Sequence, residues 1–298
     1  MTEYDLTTTP ELWFTRTLQL DPAYVAQRIA WFLAEDMPTG DLTVLSTIDP
    51  DSQSEARVLA AEPLVFAGAE ILPRIFSDDV NVALQVRDGQ AVPAGTVLAV
   101  LKGLSQEILM RERVMLNLLQ RLCGIATLTR EYVTLPAPAG FKLLDTRKTT
   151  PGLRLFEKYA VAVGGGYNHR RDLSSVAMIK DNHLVAAGGV RAALEKVQAT
   201  APDAWIELEV DTLEQLREAL AIGGMHAILL DNMSPGQIRE AVALVRSHPQ
   251  QRDLFLEASG GITRHTLPDY LWSGVNGVSI GALTTQAHNV DIKLDFVA

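Results

Sequence analysis

The sequence predicts an α/β protein: a mixed α/β N-terminal domain followed by a parallel β/α barrel. Two observations carry this. Between residues 54 and 103 apolar residues fall in strand-like runs broken by turn residues. From residue 141 onward short apolar strands alternate with amphipathic helical stretches. Such alternation implies parallel strands joined by right-handed crossovers. No G-x-G-x-x-G follows the first strand of that half, which argues against a dinucleotide fold.

The elements follow in order. After Asp21-Pro22, AYVAQRIAWFLAED repeats apolar residues at helical spacing, and MPTGD ends it. EARVLAAEP and VNVALQVRDGQAVPAGTVLAVLKG read as strands, with turns at Asp88-Gly89 and Ala94-Gly95. Ser105 is the expected N-cap of a long helix, QEILMRERVMLNLLQRL. Residues 1–118 form the first domain and 119–285 the barrel. The barrel strands are FKLLD (141–145), VAMIK (176–180), WIELEV (205–210), HAILLD (226–231), LFLEAS (254–259) and GVSIG (277–281). Between them lie GLRLFEKYAVAV, VRAALEKVQATA, LEQLREALAIGG and GQIREAVALVRSH, each with a helical apolar stripe.

Composition narrows the function. With 298 residues, a net charge of −10 and a pI near 5.1, the chain has no whole-molecule attraction for nucleic acid or an anionic membrane. No apolar run is long enough to span a bilayer. The opening MTEYDLTTTPELW has neither a basic nor an apolar region of the signal-peptide kind. A single cysteine, Cys123, excludes an intrachain disulfide, fits a reducing cytoplasm and reads as a small core residue.

The chemistry of a β/α barrel sits at the carboxyl ends of its strands. Those ends carry Asp145, Arg147 and Lys148; Lys180, Asp181 and His183; Glu207 and Glu209; Asp231 and Asn232; Ser259, Gly260 and Gly261; and Gly281. Glu207 and Glu209 share one strand face, and an inward carboxylate is costly unless a cation or metal pairs with it. From Lys142 to His183 there are eight Lys and Arg against four acids, so this segment is at +4 and the remainder at −14. Cationic loops on an acidic protein point to a small polyanion, and arginine's planar fork suits carboxylates and phosphates. SGGIT, expected before a helix, and SIGALT, after a strand, are candidate backbone cradles for phosphate. The combination asks for a ligand bearing carboxylates and phosphates, with a divalent metal near Glu209 and Asp231. Mg²⁺ takes such a donor set together with phosphate and water, whereas zinc would want a Cys/His cluster.

One stretch remains to be placed: VGGGYNHRRDL (163–173), three glycines followed by Asn168, His169, Arg170 and Arg171. LLDTRKTTPGLRLFEKYAVAVGGGYNHR, with LSSVAMIKDNHL after it, resembles the quinolinate phosphoribosyltransferase (decarboxylating) family. EDMPTGDLT, RERVMLNLLQRLCGIAT, IELEVDTLEQ, ILLDNMSP, EASGGIT and VSIGALT extend the resemblance over nearly the whole chain. Tyr167 and Arg171-Asp172 depart from the pattern between motif positions only.

The resemblance implies an α/β sandwich domain plus an open, seven-stranded barrel, with the chain end VDIKLDF returning to the first domain, so that 286–298 belongs with 1–118. It implies a pentosyltransferase that joins quinolinate to phosphoribosyl pyrophosphate with Mg²⁺, giving nicotinate mononucleotide, pyrophosphate and CO₂ in NAD biosynthesis. Matched by motif, Arg147, His169, Arg170 and Lys180 line the quinolinate pocket, with Thr146 and Lys148 beside them. Glu209 and Asp231 stand at the ribose and the metal; Ser259, Gly260 and Gly261, with Ile280, Gly281 and Ala282, form the phosphate cradle. Lys148, Lys180, Glu209 and Asp231 are the implied catalytic set. Arg113 matches an arginine that reaches into a neighbouring subunit's site, which makes a homodimer the smallest assembly. The glycines are expected to let the backbone turn so that His169 and Arg170 face the dianion. Two alternatives stay open: a related phosphoribosyltransferase-like protein associated with molybdenum transport, and a silent ligand-binding paralogue.

Overall fold

The computed structural model describes residues 14–297; the opening MTEYDLTTTPELW lies outside them. The chain packs as two compact units. One holds Arg16–Arg130, Thr150–Gly165 and Leu283 onward; the other holds Phe14, Thr15, Glu131–Thr149 and Gly166–Ala282.

The first unit begins with α1 (Pro22–Asp36), capped by Asp21 Oδ1, which accepts from Ala23 N at 2.9 Å. Next comes α2 (Leu42–Thr47), capped in the same way by Asp41. Then follow β1 (Gln53–Ala60), β2 (Leu64–Val65), β3 (Val80–Leu84), β4 (Ala91–Val92) and β5 (Val97–Leu104). Gly89 and Gly95 adopt φ values of +76° and +84° at the turns around β4, conformations that side chains rarely tolerate.

From β5 the chain enters α3 (Ser105–Val133) without a loop. Ser105 is therefore not an N-cap but the first helical residue, and its hydroxyl pairs with that of Ser54 at 2.7 Å. The helix runs unbroken past 118, and Gly124 does not end it. A Cβ at Gly124 would lie 1.9 Å from the carbonyl oxygen of His288, so glycine there allows close approach of the chain end. Cys123 beside it is fully buried. The same unit contains α4 (Arg154–Gly164), closed by Gly165 at φ +108°. Gly164 is a packing glycine: its Cβ would meet Thr129 Cβ at 2.6 Å.

The second unit is the barrel. Its strands are β6 (Lys142–Leu144), β7 (Ala177–Ile179), β8 (Ile206–Val210), β9 (Ala227–Asp231), β10 (Phe255–Ser259) and β11 (Gly277–Ser279). They pair in the order β6-β11-β10-β9-β8-β7, every pair parallel. The sheet thus has six strands where the resemblance implied seven; Tyr167 adds only an isolated parallel bridge to Leu144 beyond β6, and β6 and β7 stand at the two edges of an open barrel. The connecting helices are α5 (Asp181–Ala187), α6 (Val190–Thr200), α7 (Leu213–Ile222), α8 (Pro235–Ser247) and α9 (Pro268–Leu271), followed by α10 (Ala282–Thr285). Phe14, Leu144, Val176, Trp205, Ala227 and Phe255 form a buried apolar cluster inside this unit.

The chain end, β12 (Ile292–Phe296), pairs antiparallel with β1 and completes the sheet β12-β1-β5-β3 of the first unit. Among the described residues, no helix is long and apolar enough to cross a membrane.

Candidate active site

Strand register, together with the two-residue side-chain period, decides which residues face the barrel axis. Glu207 pairs with Ala227, Ala227 with Phe255, and Glu257 with Gly277. Met178 pairs with Glu207, and Ser279 with Leu144. The inward residues form tiers that their contacts define. Trp205, Ala227 and Phe255 share one buried cluster. Glu207 and Glu257 meet at His169 in the middle tier, and Glu209, Asp231 and Ser259 lie at or next to the carboxyl ends of their strands. Continued past the ends of β6, β7 and β11, the same period brings Thr146, Lys180 and Gly281 to the top tier. All six of these top-tier residues had been singled out from the sequence.

Contacts tie this tier together. Lys180 Nζ donates to Glu209 Oε2. Burial raises the Glu209 pKa; the Lys180 charge opposes the rise and Asp231 adds to it. Asp231 is raised by burial too, with Lys180 and Lys148 opposing. Asn232, at φ +53°, donates Nδ2 to Asp231 at 2.6 Å and its backbone N–H to Ser259 O at 2.9 Å. Gly260, at φ +94°, lies so close that a Cβ there would stand 2.2 Å from Asn232 Oδ1. The Lys148 side chain runs over Gly281, where a Cβ would meet Lys148 Cδ at 2.9 Å. The helix expected directly after SGGIT begins only at Pro268, so Ser259–Gly261 leads into a loop rather than a helix N-terminus. Ile280–Ala282, by contrast, leads straight from β11 into α10.

The cations come from the loop after β6 and from the segment 166–176. Asp145, fully buried, ties that segment down by accepting from Asn168 Nδ2 at 2.8 Å and from His169 N at 2.7 Å. Arg170 is buried and donates Nη1 to Val176 O at 3.1 Å. Its pKa is lowered by burial and then by the like charge of Arg147, although guanidinium stays protonated. Arg147 Nε is buried without a hydrogen-bond partner, and among the described residues its guanidinium pairs with nothing. Two neighbouring guanidiniums with donors to spare are repulsive and poorly solvated. An anion that takes both relieves the arrangement.

His169 contacts two acids of the barrel interior. Its ring enters the middle tier, with Nε2 3.1 Å from Glu207 Oε2 and 3.4 Å from Glu257 Oε2, all three side chains buried. These three are also a grouping of metal-ligand type, their ligand atoms lying within 4.8 Å of one another. Burial lowers the imidazole pKa, but the two carboxylates reverse this and carry it up to about 10. Arg170 N donates to His169 Nδ1 at 2.7 Å, so Nε2 is the nitrogen that faces the carboxylates. Burial raises the Glu257 pKa, and the charge of His169 opposes the rise. Sequence reasoning had marked Glu207 as an inward acid in need of a partner but had passed over Glu257, although EAS places it two residues before Ser259 just as IELE places Glu207 before Glu209.

Arg113 is exposed on α3 in the other compact unit. His183 caps α5, accepting from Lys180 N at 3.0 Å, rather than joining the acids and cations of the site.

A parallel barrel that gathers guanidiniums, lysines and carboxylates at its carboxyl rim has the arrangement of a barrel enzyme. The sequence profile described as quinolinate phosphoribosyl transferase, N-terminal domain, matches residues 41–123, and that of the C-terminal domain matches 125–295. The probable nicotinate-nucleotide pyrophosphorylase [carboxylating] of Bacillus subtilis is 45% identical over 268 residues, covering 89% of this chain and 90% of that one. A mitochondrial quinolinate phosphoribosyltransferase [decarboxylating] of Nicotiana tabacum is 39% identical over 284 residues, covering 88% of this chain and 79% of that one. The solved nicotinate-nucleotide pyrophosphorylase of Francisella tularensis superposes with a TM-score of 0.86 at 34% identity, covering 95% and 99% of the two chains. The chain belongs to the quinolinate phosphoribosyltransferase family. These relatives favour neither of the two alternatives.

Proposed function

We propose that this protein transfers phosphoribose from phosphoribosyl pyrophosphate to quinolinate and decarboxylates the product, supplying nicotinate mononucleotide for NAD biosynthesis. The observation that carries the reading is the Arg147–Arg170 pair, two adjacent guanidiniums with unspent donors, which suits a dianion bearing neighbouring carboxylates. Thr146 and Lys180 border the same rim.

With the dianion held, its ring nitrogen attacks C1 of the ribose while the bond to pyrophosphate breaks. The resulting pyridinium takes up the electron pair of the bond to the 2-carboxylate. CO₂ leaves and a proton replaces it on the ring. Glu209 and Asp231 supply negative charge toward the oxocarbenium-like ribose, and Lys148 supplies a cation beside the Ile280–Ala282 cradle. Ser259–Gly261 holds the ribose 5-phosphate in the same reading. Glu209 and Asp231 are oxygen donors of the type Mg²⁺ accepts. Because Glu209 is already engaged by Lys180, the pair suits an ion that keeps most of its ligands as water and phosphate. When bound, Mg²⁺ neutralises the departing pyrophosphate.

Arg113, exposed and away from these residues in sequence, completes the site of a second copy in a homodimer or larger assembly. A cytoplasmic location belongs to the same reading, supported by one buried, unpaired cysteine. The test is direct: incubate the protein with quinolinate, phosphoribosyl pyrophosphate and Mg²⁺, and follow nicotinate mononucleotide and CO₂. Equal amounts of both should form, and the absence of either sinks the assignment.

A further inference from the structure

Two of the points at which the chain passes between its compact units are Thr149–Thr150 and Ala282–Leu283. Each follows closely on a segment of the rim: Thr150 lies two residues after Lys148, and Thr284 three residues after Gly281. Within the first unit one buried ion pair holds both. Arg121, on α3, donates Nε and Nη2 to Glu157 Oε1 of α4 at 3.0 and 2.9 Å. Nη2 also donates to Thr284 O, and Nη1 to Ala287 O at 2.9 Å. Glu157, with no exposed surface, accepts in turn from Thr150. The threonine hydroxyl donates to Oε1 at 2.8 Å and its backbone N–H to Oε2 at 3.1 Å.

From these anchors only short chain leads back to the rim. Between Thr150 and Thr146 the loop is drawn tight, Thr149 N donating to Arg147 O at 2.9 Å and Lys148 N to Thr146 Oγ1 at 3.0 Å. Thr284 belongs to α10, a single helical turn that starts at Ala282, next to Gly281. The two segments meet where the Lys148 side chain runs over Gly281.

We propose that Arg121 and Glu157 are positioning residues for the phosphoribosyl pyrophosphate side of the site. They fix the spacing of Thr150 and Thr284, and through the chain that of Lys148 and the Ile280–Ala282 cradle. The inference rests on the function proposed for those two segments. A buried ion pair adds little net stability over an apolar pair of similar volume. What this one supplies is direction. The planar guanidinium reaches oxygens of Glu157, Thr284 and Ala287 at once, a geometry that an ammonium does not copy.

Two measurements test this. The first is amide hydrogen exchange, which needs no substrate. Glu157→Gln puts a donor where one of the accepting oxygens stood. Exchange should quicken both at 148–150 and at 281–287. Quickening confined to one of these segments, or absent from both, overturns the proposal.

The second is kinetic and turns on Thr150, which is exposed and tolerant of replacement. Thr150→Val keeps the shape and the backbone N–H but loses the hydroxyl's bond to Glu157, whereas Thr150→Ser keeps that bond. Thr150→Val should raise KM for phosphoribosyl pyrophosphate by about fivefold, and Thr150→Ser should leave it near the normal value. Arg121→Lys and Glu157→Gln should each raise the same KM by about tenfold. KM for quinolinate should move less, because Arg170 and Lys180 stand on other segments. A merely structural pair would lower Tm and the active fraction, hence kcat, with both KM values unchanged, and that result overturns the proposal. So does an effect confined to quinolinate. A normal protein inactive with the two substrates would defeat the proposed function, and the exchange pattern would still decide whether one pair holds both segments.

Discussion

Lys180 and Glu209 are tier partners on adjacent parallel strands: one residue beyond the Ile179–Leu208 pair, the ammonium donates to the carboxylate. The contact joins the loop expected to hold quinolinate to the strand expected to hold ribose. Lys180→Ala leaves a buried carboxylate without its cation, which costs more than the pair itself contributes. Lys180→Ala should therefore lower Tm, and Lys180→Ala combined with Glu209→Gln should recover part of that loss with activity still abolished. A double-mutant cycle in Tm decides it; simple additivity would mean that the two side chains are not coupled.

On the proposed function, the Arg147–Arg170 pair is expected to set selectivity. Nicotinate offers one carboxylate where quinolinate offers two, so one guanidinium would stay buried and unpaired. Sites with polar groups matched to their substrate reject analogues that leave them unpaired by about 10⁴-fold. Steady-state kcat/KM for the two acids should differ on that scale, and similar values would remove the dianion reading.

Much of this arrangement was legible before folding. All six barrel strands lie where apolar runs stop at charged residues or glycines, and the spacing of Glu207 and Glu209 already placed two acids on one inward face. What was hidden depends on contacts distant in sequence. Ser105 reads as a cap until β5 is seen to pass directly into α3, and nothing in the sequence around Gly124 shows that the chain end packs against it. The glycines at 164–166 read as a flexible turn, yet Gly164 is there for close packing on Thr129 and Gly165 for a left-handed helix cap. The orientation of His169 was hidden for the same reason. An NHR motif announces a basic loop, and only the buried Glu207 and Glu257 show that its imidazole turns inward.

Gly124 gives a prediction about stability. Alanine normally favours a helix interior over glycine, but here the added Cβ would lie 1.9 Å from the backbone oxygen of His288. The backbone must move to make room, so Gly124→Ala should destabilise the protein by about 1–3 kcal/mol, the usual cost of overpacking. Chemical denaturation measures it, and an increase in stability would show that the chain end does not bear on α3.

Cys123 should be chemically silent in the native protein. It is fully buried, and burial pushes its thiol up to about 12. At pH 8 a disulfide reagent should react only after denaturant is added. The sign follows: the native thiol holds a proton that the unfolded chain releases more readily. Its contribution to stability is complete below the ordinary thiol pKa and is lost as pH rises from there toward 12. Rapid labelling of the folded protein would contradict the burial.

Arg113 supplies the last test. It is exposed on α3 between buried Val114 and half-buried Glu112. On a reading confined to one chain, Arg113→Ala should be nearly silent, since an exposed helix contact is worth only a few tenths of a kcal/mol. If Arg113 instead completes the site of a second copy, the variant should fold yet be almost inactive. Refolding an equal mixture of Arg113→Ala and Lys180→Ala chains separates the two readings. In a mixed two-fold dimer with Arg113 acting across the interface, one site carries both lesions and the other carries neither. Random pairing then restores about a quarter of the normal activity, because closed two-fold interfaces make the two sites reciprocal. If Arg113 serves its own chain, every mixed site keeps one lesion and the mixture stays inactive. An inactive mixture in which subunit exchange has been verified would therefore remove Arg113 from a shared site.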